Sequence, residues 1–269
     1  MISTSVVVST YNNSRALERV VERLQAGSRV PHEILIADDG STSETGELLE
    51  SLAARSRVPI LHCWHPDQGF RKNRILNVCI SRASGDYLLF LDGDCLPHPR
   101  CVGDHEALAE RGYFVQARRA FVPEARVPAV LDGRTSITSL FWRLQLRGAL
   151  KAIRLPVAIV ARNREMYGLL GCNLAVWRDD LLAINGLDED YEGWGIGEDS
   201  DLGARLYNLG RNRKFVHGRA LVFHLNHPEL SKDHVPESLA RLQDTITSGK
   251  VRCANGLDRH ASEPGPAQP

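Results

Sequence analysis

Apolar and polar positions follow two alternating rhythms along the first part of the chain, and each rhythm predicts an element. Ser5-Val6-Val7-Val8-Ser9 is a short β-branched run that ends at the polar turn Tyr11-Asn12-Asn13. Leu17, Val20, Val21 and Leu24 then recur at the i, i+3, i+4, i+7 spacing of one helix face. Glu33-Ile34-Leu35-Ile36-Ala37 is a second strand, stopped by Asp38-Asp39-Gly40. Ser41-Thr42-Ser43-Glu44 reads as a capping box opening a helix through Leu48, Leu49 and Leu52. Val58 to His62 is a third strand, and Pro59 suits an edge position or a strand start. Leu76, Cys79, Ile80 and Ala83 mark the next helix, which Gly85 breaks before Tyr87-Leu88-Leu89-Phe90-Leu91 runs into Asp92-Gly93-Asp94.

Strands this apolar are buried on both faces, as in a parallel sheet covered by helices. The βα repetition predicts an α/β fold with right-handed crossovers: a single doubly wound, mostly parallel sheet with helices on both faces. Ligands then belong at the carboxyl ends of the strands. After about residue 120 the rhythm loosens. Residues 134–165 carry Arg134, Arg143, Arg147, Lys151, Arg154, Arg162 and Arg164 against the single acid Glu165, interleaved with Leu140, Phe141, Trp142, Leu144, Leu146 and Leu150. Leu174 to Trp177 is a strand, and Leu202, Leu206 and Leu209 mark a helix starting near Asp199. Phe215-Val216 and Leu221-Val222-Phe223 are short closing strands, and the tail from about Ala254 is expected to be disordered.

Composition narrows the class. Of 269 residues 43% are hydrophobic and 25% charged, with 33 basic against 33 acidic, which suits one globular domain and excludes bulk nucleic-acid binding. The longest uncharged apolar run, Leu155 to Ala161, is far short of the roughly 20 residues of a spanning helix. No basic, apolar leader opens the chain, and the six cysteines include no CxxC pair, so a cytoplasmic protein with reduced thiols is expected.

Three acidic features carry candidate chemistry. Asp92-Gly93-Asp94 ends the most apolar strand, and the glycine lets two carboxylates converge on one hard cation. Asp38-Asp39-Gly40-Ser41 ends a neighbouring strand, either as an Asx-type turn or as an acceptor for base N–H or ribose hydroxyl groups. Gly193-Trp194-Gly195-Ile196-Gly197 precedes Glu198-Asp199-Ser200-Asp201, which puts three acids at a helix start where one can take a proton from a hydroxyl. His224 and His227 follow the last strand and offer imidazole nitrogens.

In order, Thr10-Tyr11-Asn12, Ala37-Asp38-Asp39-Gly40-Ser41-Thr42, Asp67-Gln68-Gly69-Phe70-Arg71, Arg74-Ile75-Leu76-Asn77 and Leu91-Asp92-Gly93-Asp94 resemble the family-2 glycosyltransferases of the GT-A fold. The Gly-Trp-Gly and Glu-Asp-Ser-Asp stretch with Phe223-His224 is similar to galactosyltransferase-type members, although Ile196 interrupts their usual Gly-Trp-Gly-Gly-Glu-Asp. The resemblance implies an inverting, metal-dependent transfer of a galactose-type sugar from a UDP-sugar to a glycan or lipid-linked glycan hydroxyl. Residues 1–120 would form the nucleotide-sugar half, 121–235 the acceptor-binding and catalytic half, and 236–269 a C-terminal helix and tail. Thr10, Asp38, Asp39, Arg71, Arg74, Asp92, Asp94 and Trp194 would hold the donor. Asp94, Asp92 and His224 would hold the metal, manganese ahead of magnesium. Asp199 would be the base and Glu198 would orient the acceptor.

Other readings compete. The basic stretch at 134–165 is either a helical insert over the acceptor cleft or an amphipathic segment on an anionic membrane, on its inner face. Leu91-Asp92-Gly93-Asp94 also resembles the start of an aspartyl-phosphate phosphatase, but that nucleophile belongs on a first strand. A nucleotide-sugar or glycan binder without turnover, and a nucleotidyltransferase lacking its Gly-rich loop, complete the alternatives.

Overall fold

The structure, a computed structural model, describes residues 2–192, 197–227 and 235–260. Its frame grows from β1 (Thr4–Thr10), whose residues are nearly all buried, so strands must flank it and helices must cover it. β2 (Glu33–Asp38) pairs with β1 in parallel, and β3 (Ile60–Trp64) adds in parallel at the edge, the position that Pro59 suggests. The chain then crosses back to the other side of β1, where β4 (Tyr87–Asp92) is again parallel. This reversal opens a crevice at the carboxyl ends of β1 and β4.

β5 (Cys95–Pro97), β6 (Tyr113–Ala117), β7 (Arg119–Val122), β8 (Ile159–Asn163), β9 (Asn173–Trp177), β10 (Asn212–His217) and β11 (Val222–Leu225) follow. They complete an eight-stranded sheet in the order β3-β2-β1-β4-β9-β6-β10-β8, and a three-stranded sheet β5-β11-β7. The large sheet is mostly parallel, as the sequence predicts, with four parallel pairings and three antiparallel ones. β9 runs antiparallel between β4 and β6, and β8 is antiparallel to β10 at the far edge.

Helices α1 (Ser14–Gln25), α2 (Ser43–Arg55) and α4 (Cys101–Leu108) cover one face, with α3 (Lys72–Arg82) on the other. The strand period of two divides the work: Val6 and Val8 pack toward α1, and Val7 toward α3. α1 buries Leu17, Val20, Val21 and Leu24, the stripe its sequence spacing predicts. α5 (Val127–Leu131) and α6 (Ile137–Trp142) are short, α7 (Arg178–Ala183) follows β9, and α8 (Glu198–Asn208) packs on α9 (Val235–Ser248).

Three local expectations are corrected. The capping box does not form, because Ser41 is held in the preceding turn by Asp38 Oδ1 and by the Trp64 indole. The helix starts at Ser43, and Glu44 instead accepts from Ser14. Residues 254–260 of the tail are ordered, with Asn185 accepting from the Leu257 and Asp258 backbone N–H groups and Leu257 and His260 buried, while residues 261–269 lie outside the described residues. Residues 134–165 form no single helix but α6, a 3-10 turn at Ala149–Ala152 and the edge strand β8, since only Ile137, Leu140 and Leu146 bury apolar side chains there.

Candidate active site

The carboxyl ends of β1, β2 and β4 meet because their registers match: Thr10 lies beside Asp38, and Ser9 beside Asp92. Beyond them opens a cleft of about 550 Å³, lined among others by Thr10, Asp39, Asp92, Asp94, Glu198 and Asp199. Such a volume suits a nucleotide-sugar-sized molecule. Gly93 is required for this convergence, since a Cβ there would stand 2.8 Å from the Ser9 carbonyl oxygen.

The two carboxylates of the Asp-Gly-Asp turn have different partners. Asp94 Oδ2 lies 3.5 Å from His224 Nε2 and 3.1 Å from His227 Nε2, and these three side chains can share one ion. β11 brings His224 there by pairing it antiparallel with Cys95. Burial lowers the pKa of His224 despite Asp94, so its imidazole is neutral and offers a lone pair. Asp94 Oδ1 and His224 Nδ1 are buried without a hydrogen-bond partner among the described residues. A carboxylate and two imidazoles whose ligand atoms lie within 4.8 Å of one another fit a divalent cation, so His227 joins His224 in the candidate set.

Asp92, read as a ligand beside Asp94, is not among the three side chains that can share that ion, although its charge acts on His224. Its Oδ1 accepts from Lys72 Nζ at 2.7 Å and from Ser9 Oγ at 3.0 Å. Burial opposes its charge, but Lys72 and Ser9 outweigh that and hold its pKa low. Lys72 in turn faces Asp92, Asp199 and Glu198, which outweigh burial and keep its pKa above the ordinary lysine value.

Lys72, which the motif reading passes over, lines the cleft, whereas Arg71 and Arg74 are not among its lining residues. α3 begins at Lys72, and that phase turns the two arginines elsewhere. Arg71 donates its side chain to the Pro66 carbonyl and its backbone N–H to Asp39 of the cleft's wall, and Arg74 approaches Glu189 at 3.7 Å. The Asp38-Asp39 pair divides similarly. Asp38 is consumed internally by the Ser41 N–H and by His62 at 2.9 Å, whereas Asp39, held by His65 at 2.7 Å, lines the cleft. Thr10 Oγ1 is buried and without a partner among the described residues. Trp194 lies outside the described residues.

On the opposite wall α8 presents Glu198 and Asp199. Gly171 N–H donates to Asp199 Oδ2 at 2.7 Å. Burial raises the pKa of Asp199, and burial together with Asp199 pushes Glu198 up to about 7. Asp201, the third acid, turns inward to Arg205 and takes no part in the cleft. Arg119 and Cys172, unmarked by any motif, also line it, with Arg119 Nη1 at 3.3 Å from the Cys172 sulfur.

A Cβ at Gly171 would stand 2.5 Å from Asp199 Oδ1. Gly171→Ala is therefore expected to push the carboxylate aside by about 1 Å and lower turnover about 100-fold. Steady-state kinetics beside a melting curve check this; unchanged kcat would show that Asp199 need not be held there.

Comparison with known proteins adds the lineage. Residues 5–159 match the model of "Glycosyl transferase family 2", and residues 157–228 that of the "N-terminal domain of galactosyltransferase". The chain is 25% identical to chondroitin synthase of Escherichia coli over 248 residues, 83% of this chain and 35% of that protein. It thus spans about a third of that relative. S. aureus TarS 1–349, solved with UDP-GlcNAc, superposes with a TM-score of 0.67 at 16% identity, covering 96% of this chain and 69% of that one. GalNAc-T7, solved with UDP, GalNAc and Mn2+, gives 0.64 at 17% identity, covering 91% of this chain and 48% of that one.

Proposed function

The chain belongs to glycosyl transferase family 2, a glycosyltransferase by that membership, and we propose that it transfers a sugar with inversion from a UDP-sugar to a glycan or lipid-linked glycan hydroxyl. The observation that carries this reading is one cleft with a cation-ready Asp94–His224–His227 group on one wall and the raised carboxylates Glu198 and Asp199 on the other. The phosphatase alternative does not survive the family membership.

Asp94, His224 and His227 would hold a divalent metal, manganese ahead of magnesium, which when bound would supply positive charge for the leaving diphosphate. Thr10 and Asp39 receive the nucleoside, with the exposed Tyr11 ring beside them and its hydroxyl on Asp67. Lys72 and Arg119 supply the positive charge that the donor's phosphates and the acid-rich cleft require. Asp199 takes the acceptor hydroxyl's proton as the oxygen attacks the anomeric carbon, and the bond from that carbon to the diphosphate breaks on the opposite face. Glu198, whose pKa is pushed up to about 7, donates in its protonated form a hydrogen bond that orients the acceptor. Galactose-type donors are favoured by the match of residues 157–228. A lipid-linked acceptor would bring residues 134–165 to the inner face of a membrane.

A thermal-shift series with UDP- and GDP-sugars, each with and without manganese, tests the reading. A rise in melting temperature with one UDP-sugar that requires manganese, and that Asp94→Ala or chelation abolishes, is the expected result. A shift with GDP-sugars alone would overturn the uridine assignment, and a metal-independent shift would overturn the role of Asp94.

A further inference from the structure

We propose that the surface formed by residues 126–157 is a docking site for an anionic lipid bilayer, with lipid phosphates received by Arg126 and Arg143. Four large apolar side chains stand out to solvent here: Trp142 at 76%, Leu144 at 81%, Leu150 at 84% and Val157 at 76% exposure. Soluble surfaces rarely concentrate such groups in one segment. Between them lie Arg143, Arg147 and Lys151, exposed and without an ion pair among the described residues. Arg134, by contrast, is held on Asp132, and Arg154 on Asp104.

Beside this fringe is a second cavity of about 480 Å³, lined by Arg126, Arg134 and Arg143 together with Ser136, Ser139 and Gln145. No carboxylate lines it. Guanidinium and hydroxyl groups of this kind recognise phosphate oxygens. Trp and Leu entering the headgroup region with Arg and Lys around them is the chemistry of interfacial binding. A second copy of the chain fits less well, since face-to-face contact would oppose cation to cation.

Leu144 gives independent support. α6 ends with Gln145 N–H donating to the Leu140 carbonyl and Leu144 N–H to that of Phe141. Leu144 closes this turn at φ 56, the left-handed conformation that favours glycine. An apolar side chain placed there against backbone preference, and left largely exposed, has its use outside the fold. The surface is also close to the cleft. The Arg147 backbone pairs with Phe121, whose ring meets the His224 ring edge-on at 5.4 Å. Docking would thus present a lipid-linked acceptor to the catalytic wall, a role that rests on the transferase reading, whereas docking itself is measured without turnover.

The test is co-sedimentation of the full chain with phosphatidylcholine vesicles and with mixed phosphatidylcholine–phosphatidylglycerol vesicles, at low and high salt. Binding is expected only to the anionic vesicles and should weaken with salt. Replacing Arg143, Arg147 and Lys151 by Gln should lower the partition roughly 100-fold. Trp142 should shift its fluorescence to the blue on binding, a signal lost in Trp142→Phe. Leu144→Gly should weaken partition without lowering the melting temperature, which a merely structural role would not allow. All these variants should keep the metal-dependent UDP-sugar shift, so failure of docking and failure of the transferase reading give different results. Equal binding to neutral vesicles, no vesicle binding, binding of inorganic phosphate without vesicles, or dimerisation abolished by Leu150→Ser would each overturn the proposal.

Discussion

Asp199→Asn is expected to reduce turnover by about 1,000-fold or more while leaving the fold and donor binding intact. Asparagine matches the aspartate in size, and its side-chain oxygen can still accept the 2.7 Å hydrogen bond from Gly171 N–H. What disappears is the lone pair that receives the acceptor's proton. Isothermal titration with a UDP-sugar and manganese should give an unchanged Kd beside the lost kcat. Near-normal turnover would transfer the base role to Glu198.

The same pair fixes the pH behaviour. A base must be ionised and Glu198 must keep its proton, so activity should climb with pH through a limb above the usual carboxylate range and fall again through about 7. Glu198 bears on stability as well. Its pKa, pushed up to about 7 by burial and then by Asp199, exceeds that of the unfolded chain, so the folded state binds the extra proton. The associated stability is fully present below the unfolded pKa near 4.3 and is lost as pH rises through about 7. Glu198→Gln should therefore stabilise the protein at pH 8, on the order of 2 kcal/mol, and make little difference at pH 4. Melting curves across pH give the comparison.

The architecture around this pair was legible where periodicity and chain order act alone. The Val-rich first strand, the α1 stripe and the Asp-Gly-Asp turn declare themselves, because burial on both faces and a glycine turn leave few arrangements. Function within a motif was less legible, because it depends on the phase of the element that follows. Arg71, Lys72 and Arg74 are similar letters, yet only Lys72 reaches the cleft once α3 starts at that residue. Asp38 and Asp39 are adjacent, and His62 and the Ser41 N–H take the first while the second faces the ligand side. Arg119 and Cys172 carry no local signal, since non-adjacent segments alone bring them together. The ordered tail is hard to read for a related reason: Asn185 holds the Leu257 and Asp258 backbone N–H groups, and Leu257 enters the core with no periodic apolar pattern around it.

Asp201→Ala should have the opposite phenotype from Asp199→Asn, two residues away on the same helix. It should cost about 3–5 kcal/mol of stability and lower the melting temperature by roughly 10 °C, with turnover kept where the protein remains folded. Asp201 and Arg205 are buried together, with Nε to Oδ2 at 2.7 Å. Arg205 Nη1 also donates to the Ile184 and Gly186 carbonyls, and Thr245 Oγ1 donates to Asp201 Oδ1, which ties α8 to α9 and to the segment after α7. Truncating the acid strands a guanidinium in the interior, and that uncompensated charge is the source of the large cost. The double variant Asp201→Leu with Arg205→Met removes both charges and should recover most of the lost stability. Chemical denaturation of Asp201→Leu, Arg205→Met and the double variant measures the coupling directly. Additive losses would mean that the pair is not a unit. If Asp201→Ala instead abolished turnover at full stability, the assignment of Asp199 as the motif's sole base would fall with it.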